Sequence, residues 1–223
     1  MSRLVRGALA APIVAATVLG TVVAQADIAA ASTVVALWHM NETSGTTMVD
    51  SSGHHNNGGL HNVTLGVSGF SGKAYSFNGT SSYVSVPSSA SLNPGSANIT
   101  ISFYLTTTSL PKSGDYDLVR KGAYPAQNYK VELLPTGQIM CTFQGSSSRH
   151  NATGGSGLNN GAWHHIQCIK TASQIKTVID GTVRATTNAP VGSISNTSTA
   201  YLGAHPGSDW YKGKLDEVSI TIG

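Results

Sequence analysis

The chain has 223 residues, of which only 10% are charged, and its 13 basic and 10 acidic residues give a formal net charge of +3. The lysines and arginines are dispersed and form no basic run, which argues against a nucleic-acid partner. A chain of this length predicts one domain with a sizeable core. Glycine, serine, threonine and asparagine crowd the segments between apolar runs, a composition typical of proteins built from many short strands and turns.

The N-terminal segment differs from the rest of the chain. Two arginines precede an apolar run that ends at Val23, and Ala24-Gln25-Ala26 has the small-x-small pattern that signal peptidases accept. The run of about 16 apolar residues is shorter than the roughly 20 needed to cross a bilayer, so we expect no stable membrane span. We therefore predict a signal peptide over residues 1–26 and a secreted, extracellular domain over residues 27–223. Removal of the signal peptide leaves 11 basic and 10 acidic residues.

Runs with a two-residue hydrophobic period, which is typical of strands, follow one another along the predicted domain. They cover residues 33–40, 70–77, 82–86, 98–106, 117–121, 129–134, 138–143, 163–181 as a hairpin, 182–186, 199–203 and 214–222. Residues 41–59 and 145–161 are rich in Gly, Ser and Asn, and we predict irregular loops there. About a dozen strands without a helix favour two antiparallel sheets packed face to face, because one open sheet of that size would expose an apolar face.

The segment 163–181 gives the clearest hairpin signal. Residues alternate from Trp163 onward, and Asp180-Gly181 supplies a two-residue turn whose members tolerate positive φ. The strand predicted over residues 182–186 then continues the hairpin as a meander. We interpret His165, on the same face as Trp163, as a core histidine and not as a zinc ligand.

Several short motifs occur in a fixed order along the chain and resemble those of one known family. They are Trp38, Asn41-Glu42, Asp50-Ser51-Ser52-Gly53, Gly72-Lys73-Ala74, Phe77-Asn78-Gly79, Trp163-His164-His165-Ile166, Val178-Ile179-Asp180-Gly181 and residues 211–218. In this order they are similar to the laminin-G-like jelly-roll domains of the concanavalin A-like lectin and glucanase superfamily. The resemblance implies an all-β, two-sheet antiparallel jelly-roll sandwich. It implies much less about the ligand, because this fold hosts unrelated functions.

Catalysis is not expected. The glucanases of the superfamily carry their carboxylates on one strand as Glu-x-Asp-x-x-Glu or a close variant, and this chain has no such string. Asp115 and Asp117 are the nearest same-face pair, but they follow Pro111-Lys112-Ser113-Gly114 and are interpreted as part of a turn. No Gly-x-Ser-x-Gly elbow stands between a strand and a helix. We predict a protein that is not an enzyme.

Cysteine and histidine usage suggests one structural bond and no metal chelate. Two cysteines in an exported chain predict a disulfide between Cys141 and Cys168, and neighbouring antiparallel strands would bring them together. The adjacent histidine pairs cannot chelate one ion from a single strand. The remaining loop histidines, His150 and His205, are assigned no role.

Carbohydrate binding is the function that the resemblance implies, with a glycan or cell-surface polysaccharide as the partner. Such sites stack an aromatic side chain on a sugar ring and place polar groups against its hydroxyls. The candidate contacts are Trp210, Asp209, Tyr124, Asn128 and Tyr116. Trp210 is the one least explained by packing. The alternative is a protein-binding or cell-surface adhesion module without sugar specificity, which a glycan array would distinguish.

The resemblance also implies a structural Ca²⁺ where the opening loop meets the last strand. Calcium takes six to eight oxygen ligands from carboxylates, amides and carbonyls. The candidate ligands are Asn41, Glu42, Asp50, Asn56 and Asp216. The alternative interpretation is that Asp50 forms an Asx turn that satisfies its own amides and that Asp216 caps a strand.

Overall fold

The structure, a computed structural model, describes residues 31–223, and the predicted signal peptide lies outside them. Numbered along the chain, the strands are β1 (Thr33–Trp38), β2 (Thr47–Met48), β3 (Gly58–His61), β4 (Thr64–Ser68), β5 (Lys73–Asn78), β6 (Tyr83–Val86), β7 (Ile99–Thr106), β8 (Tyr116–Lys121), β9 (Asn128–Leu133), β10 (Ile139–Gln144), β11 (Arg149–Gly154), β12 (His164–Lys170), β13 (Ile175–Ile179), β14 (Thr182–Thr187), β15 (Ala200–Leu202) and β16 (Lys212–Ile222). A single 3-10 turn at Ala90–Leu92 is the helical element of this part of the chain. No helix within residues 31–223 has the length and apolar character needed to cross a membrane.

The strands form two antiparallel sheets of eight strands each. The first sheet runs β14-β13-β12-β7-β16-β5-β4, with β1 also paired to β16, and the second runs β11-β10-β9-β8-β15-β6-β3-β2. The sheets pack face to face, since β10 of the second sheet contacts β12 and β13 of the first. The all-β, two-sheet antiparallel jelly-roll sandwich is thereby confirmed.

Alternation along each strand decides which side chains enter the core. Every second residue of β7, from Ile99 to Leu105, is buried, and the residues between them lie on the outer face of the first sheet. Tyr211, just before β16, is also fully buried, and its hydroxyl donates to the Thr106 carbonyl over 2.9 Å. Burial of such side chains supplies the main stabilisation of the sandwich.

The predicted hairpin forms, but one of its histidines lies elsewhere than expected. β12 pairs with β13, and Asp180 and Gly181 take φ values of 52° and 74°, as a two-residue turn with positive φ at both positions requires. His165 is half-buried on the outer face of the first sheet, where its ring stacks on Tyr104 with centroids 4.6 Å apart. The prediction of a core histidine is therefore wrong, because Ile166 and Cys168 take the inward positions of β12.

Strands also form inside the two segments predicted to be irregular. β11 lies within residues 145–161 and pairs with β10 at the edge of the second sheet, and β2 and the start of β3 lie within residues 41–59. Their Gly, Ser, Thr and Asn content gives them no hydrophobic period. Pairing with a neighbouring strand determines their conformation, which sequence periodicity cannot detect.

The disulfide between Cys141 and Cys168 is present, with a Cα–Cα distance of 5.5 Å. However, the two strands that carry the cysteines are arranged differently from what was predicted. Cys141 is on β10 of the second sheet and Cys168 is on β12 of the first, so the bond joins the two sheets through the core and not two neighbouring strands of one sheet. Both residues are fully buried.

Candidate functional site

Charged side chains lie on the outer face of the second sheet, along β8 and β9. Because Tyr129, Val131 and Leu133 of β9 enter the core, Lys130 and Glu132 point to the other side of the strand. Glu132 is nevertheless 0% exposed, and Asp117 of β8, which pairs directly with it across the strands, is 1% exposed. Two carboxylates are thus buried outside the hydrophobic core, which is costly unless charged partners compensate for the lost hydration.

Two cations provide part of that compensation. Arg120 forms an ion pair with Asp117, and Lys130 forms one with Glu132. The Thr142 hydroxyl of β10 also lies 3.4 Å from Glu132 Oε2. The Asp117 pairing uses its Oδ2 atom, and Oδ1 is buried with no hydrogen-bond partner in the described part of the chain.

The loop between β15 and β16 brings two further groups to Asp117. The Asp117 amide donates to the Asp209 carbonyl over 3.0 Å, which fixes the loop against β8. As a result, one potential ligand atom from each of Asp117, His205 and Asp209 lies within 4.8 Å of the others, and the same holds for Asp115, Asp117 and Glu132. We call these five residues, Asp115, Asp117, Glu132, His205 and Asp209, the carboxylate cluster. The interpretation of Asp115 and Asp117 as a turn is corrected, because Tyr116 and Asp117 begin β8.

The surroundings of the carboxylate cluster shift the pKa values of three of its members. Burial raises the pKa of Asp117 to about 6, against the lowering effect of Arg120. Burial, together with the negative charge of Asp209, raises the pKa of Asp115 above its usual value. Burial and the charge of Arg120 lower the pKa of His205, against the opposing effect of Asp209 and Asp115. These directions reflect carboxylates that are crowded and poorly hydrated.

Three of the predicted ligand contacts line one groove beside this cluster. The groove has a volume of about 530 Å³ and is lined by Trp210, Tyr116 and Asp209, together with Asp115 and the lysines Lys112 and Lys212 among others. Trp210 is half-buried and packs against Tyr83, with ring centroids 5.9 Å apart. We call this site the Trp210 groove. It combines aromatic faces with carboxylates and ammonium groups around an open cavity.

The other two predicted contacts lie outside the Trp210 groove. Tyr124 is 74% exposed and lines a separate groove of about 710 Å³. Asn128 is 2% exposed, and its amide donates to the Ala126 carbonyl over 2.7 Å and to Gln144 Oε1 over 3.2 Å. Asn128 therefore holds a loop in place, and its amide is not free to meet a ligand.

Asp50, the first of the predicted calcium ligands, is surrounded by hydrogen-bond donors. Its Oδ1 accepts from the amides of Leu37 and Ser52, both over 2.9 Å, and its Oδ2 accepts from the Ser52 hydroxyl over 2.9 Å and the Asn56 amide over 2.8 Å. The Asn56 side chain donates to the Val35 carbonyl over 2.7 Å. This is the Asx-turn arrangement, in which the lone pairs of the carboxylate are already used.

The remaining predicted calcium ligands are engaged in the same way. Asp216 accepts from the amides of Ser71 and Glu217, and burial raises its pKa. Asn41 accepts from the Lys73 amide, and Glu42 accepts from the Val49 amide and the Tyr75 hydroxyl. Within residues 31–223 the acidic members Glu42, Asp50 and Asp216 do not form a group of three carboxylates within 4.8 Å. These side chains are thus engaged by other groups of the protein, and a calcium ion at this place stays a prediction.

A laminin G family model matches residues 78–221 of the chain. Its description is the concanavalin A-like lectin/glucanases superfamily. The chain belongs to this laminin-G-like family. No curated protein sequence matches the chain. The match to the family includes β8, β9 and the loop before β16, and so it covers the whole carboxylate cluster and the Trp210 groove.

Solved structures similar to this laminin-G-like chain include domains of a mosquitocidal protein, an arabinanase and a laminin. The binding domain of Paraclostridial Mosquitocidal Protein 1 has a TM-score of 0.67 and 18% identity, with 84% of this chain and 48% of that chain covered. Domain 4 of AbnA, an extracellular arabinanase from Geobacillus stearothermophilus, has a TM-score of 0.62 and 19% identity, with 86% of this chain and 93% of that chain covered. Mouse laminin alpha1 domains LG4-5 have a TM-score of 0.53 and 17% identity, with 66% of this chain and 40% of that chain covered.

These likenesses concern the fold alone. The laminin-G-like chain spans about half the length of the mosquitocidal binding domain and less than half of the laminin pair, whereas it spans nearly all of the arabinanase domain. At such low identities a shared fold does not transfer a site from one protein to another.

A second aromatic surface of this laminin-G-like domain lies on the first sheet, around Tyr104. Phe70 is 51% exposed and stacks on Tyr104 with centroids 3.7 Å apart, and Tyr104 in turn stacks on His165. The three rings form a row on the outer face of the first sheet. The alternation of β7 in the sequence predicts that its even-numbered residues, Tyr104 among them, face away from the core. The stacking of Phe70 on Tyr104 depends on the tertiary structure.

Proposed function

We propose that the protein is a secreted, non-catalytic carbohydrate-binding module whose site is the Trp210 groove. The observation that carries the proposal is the composition of that groove, in which Trp210 and Tyr116 stand beside Asp115, Asp209 and two lysines. An aromatic face takes the C–H surface of a sugar ring, and carboxylates accept hydrogen bonds from its hydroxyls. The volume of about 530 Å³ is suited to one or two sugar units.

The similar structures support a binding role. The mosquitocidal domain is named a binding domain, and domain 4 of the arabinanase was solved in complex with arabinotriose. The arabinanase domain is nearly matched in length by this chain. Both comparisons favour a binding module, and the arabinotriose complex favours a glycan as the ligand.

Glycoside hydrolysis is disfavoured by the geometry of the buried acids. Asp117 and Glu132 are 1% and 0% exposed and are paired with Arg120 and Lys130, so a glycosidic bond has no access to them. The proposal is therefore binding without cleavage.

Export of the protein rests on the predicted signal peptide and on the disulfide. Disulfides persist in oxidising compartments, which supports a secreted location. Because the predicted calcium ligands Asp50 and Asp216 already accept hydrogen bonds, we leave an ion at that place out of the proposed function.

The alternative function, protein binding or adhesion, is favoured by one observation. The exposed Phe70 on the outer face of the first sheet is a large apolar side chain of the kind enriched in protein interfaces. A glycan array that includes arabinans and other polysaccharides separates the two functions. Binding that requires Trp210 supports the carbohydrate module. The absence of binding to every glycan, with retained binding to cell-surface proteins that requires Phe70, supports the alternative.

A further inference from the structure

The carboxylate cluster holds more negative charge than its own cations neutralise. Four carboxylates, those of Asp115, Asp117, Glu132 and Asp209, lie together, and within residues 31–223 their ion pairs are those of Arg120 and Lys130. Lys112 and Lys212 line the neighbouring groove without forming an ion pair with them. Asp117 and Glu132 are fully buried, so water does not screen this excess well. An excess of about two negative charges in a partly dehydrated site is what a divalent cation would neutralise.

A second and independent observation comes from hydrogen bonding. Asp117 is 1% exposed, and its Oδ1 atom has no hydrogen-bond partner within residues 31–223. Because Arg120 holds Oδ2, the oxygen left for another ligand is Oδ1. Asp115 Oδ1 is also buried without a partner. Buried carboxylate oxygens are almost always satisfied in native proteins, so two unpartnered oxygens in one cluster point to a further ligand there.

The donors around Asp117 are arranged for coordination. Asp117, His205 and Asp209 each offer one atom within 4.8 Å of the other two. The Ser208 hydroxyl donates to Asp209 Oδ2 over 2.8 Å and lies 3.4 Å from His205 Nδ1, so Asp209 Oδ1 and His205 Nε2 are the atoms left for an ion. The amide-to-carbonyl bond from Asp117 to Asp209 anchors the loop that carries both other ligands. The oxygens of Glu132 are already engaged by Lys130 and Thr142, so Glu132 positions the cluster and does not ligate.

We propose that Asp117, His205 and Asp209 bind one divalent transition-metal ion such as Zn²⁺ or Mn²⁺, with Asp115 as a further oxygen ligand. One imidazole nitrogen with carboxylate oxygens suits these ions better than Ca²⁺, which prefers oxygen ligands alone. The ion enters from solvent through the Trp210 groove, which Asp115 and Asp209 line, or through a pocket of about 200 Å³ lined by Arg120, Tyr201 and His205.

The site goes beyond the proposed function, because the metal site does not require a glycan. Its test accordingly uses the metal alone, so that failure to bind metal and failure to bind glycan are separate results. Tag-free protein freed of metal with a chelator is titrated with Zn²⁺, Mn²⁺ and Ca²⁺ by calorimetry, and Mn²⁺ is also followed by electron paramagnetic resonance. We expect one Zn²⁺ or Mn²⁺ per chain, bound at least about tenfold more tightly than Ca²⁺.

Substitutions assign the ligands. His205→Ala and Asp209→Asn, both in a loop, are expected to weaken binding by about tenfold or more each, and Asp117→Asn by more than either. The matched control is His39→Ala, which removes an imidazole that lies 2.8 Å from the Glu217 carboxylate elsewhere on the domain. We expect that variant to bind metal like the wild type.

The proposal would be overturned by a wild-type protein that binds neither Zn²⁺ nor Mn²⁺, or that binds Ca²⁺ more tightly than both. Unchanged affinity in both loop variants would also overturn it, as would a loss as large in His39→Ala as in His205→Ala, which would indicate binding to scattered surface histidines. If Asp117→Asn does not fold, the two loop variants decide the result, because neither side chain belongs to the hydrophobic core.

Discussion

Cys141 and Cys168 join the two sheets of the sandwich through its core, with their Cα atoms 5.5 Å apart. The bond closes a loop with a sequence separation of 27, and the Thr177 hydroxyl of β13 lies 3.1 Å from the Cys141 sulfur. We expect the double variant Cys141→Ala/Cys168→Ala to lose roughly 3.5 kcal/mol of unfolding free energy, because its unfolded chain is no longer restricted. Urea denaturation of the variant and of oxidised wild type measures the difference.

The control for this prediction is the reduced wild-type protein, which retains both sulfur atoms and lacks only the bond. It should resemble the double variant in stability. A loss of less than about 1 kcal/mol in both would show that the cross-sheet bond adds little to the packing around it.

Replacement of Trp210 tests the glycan site. Trp210→Ala removes the largest aromatic face of the Trp210 groove, and we expect glycan affinity to fall by about 30-fold or more, which corresponds to about 2 kcal/mol. Phe70→Ala is the matched control, because it removes an exposed aromatic ring from the other sheet. Affinity is measured by calorimetry with the best ligand from the array. A loss with Phe70→Ala and none with Trp210→Ala would place the binding surface on the first sheet.

Asp50 is expected to stabilise the opening loop without an ion. Asp50→Ala leaves the amides of Leu37 and Asn56 without their acceptor, and we expect the unfolding free energy to fall by about 2–4 kcal/mol. Ser52→Ala is the control, since it removes one hydroxyl donor and leaves the carboxylate in place. Chemical denaturation measures both variants. An Asp50→Ala protein as stable as the wild type would contradict this structural role.

Asp50 also makes the stability of the protein depend on pH. Burial raises the pKa of Asp50, but the hydrogen bonds from Leu37, Ser52 and Asn56 outweigh burial, and its pKa lies below the usual value. A lowered folded-state pKa means that this stabilisation is present above the unfolded-state pKa of about 4 and is lost as the pH falls through the folded-state value. The difference in stability between wild type and Asp50→Asn should therefore shrink in acid. Denaturation curves from pH 6 down to about pH 3 measure this difference.

His165 should make the protein less stable in mild acid. Burial lowers its pKa, against the opposing effect of Asp180, and its Nε2 lies 2.8 Å from the Ser102 hydroxyl. The unfolded chain then takes up the proton at a higher pH than the folded one. Stability is complete above the unfolded-state pKa of about 6.5 and falls as the pH drops through it toward the folded-state value.

His165→Gln keeps a polar side chain at this position and removes the titration. We expect its unfolding free energy to depend less on pH between about 7 and 5 than that of the wild type. Nuclear magnetic resonance titration of the His165 ring provides the direct measurement. A pKa above 6.5 would contradict the prediction.

Local patterns in the sequence were sufficient to predict much of the fold. The two-residue period of β7 predicted which residues enter the core, since alternate side chains of a strand point to opposite faces. In β12 the same period separated the two faces, but it did not show that Ile166 and Cys168, and not His165, face the core. Asp180-Gly181 predicted its turn, because both residues tolerate positive φ. By contrast, β11 could not be found, since pairing with β10 forms this strand and its own residues carry no hydrophobic period.

The sites depended on contacts between distant parts of the chain. Trp210, Asp209 and Tyr116 were chosen from residue type, and three independent segments meet to make their groove. In sequence, Glu132 is an ordinary polar residue of an alternating strand and His205 a lone loop histidine. The pairing of β8 with β9 and the bond from Asp117 to Asp209 place both beside Asp117. The sequence by itself determined which residues alternate and turn, because those properties are local. Only the tertiary structure decided which sheet each strand joins and which charges are buried together, because strand pairing and burial depend on residues far apart in the chain.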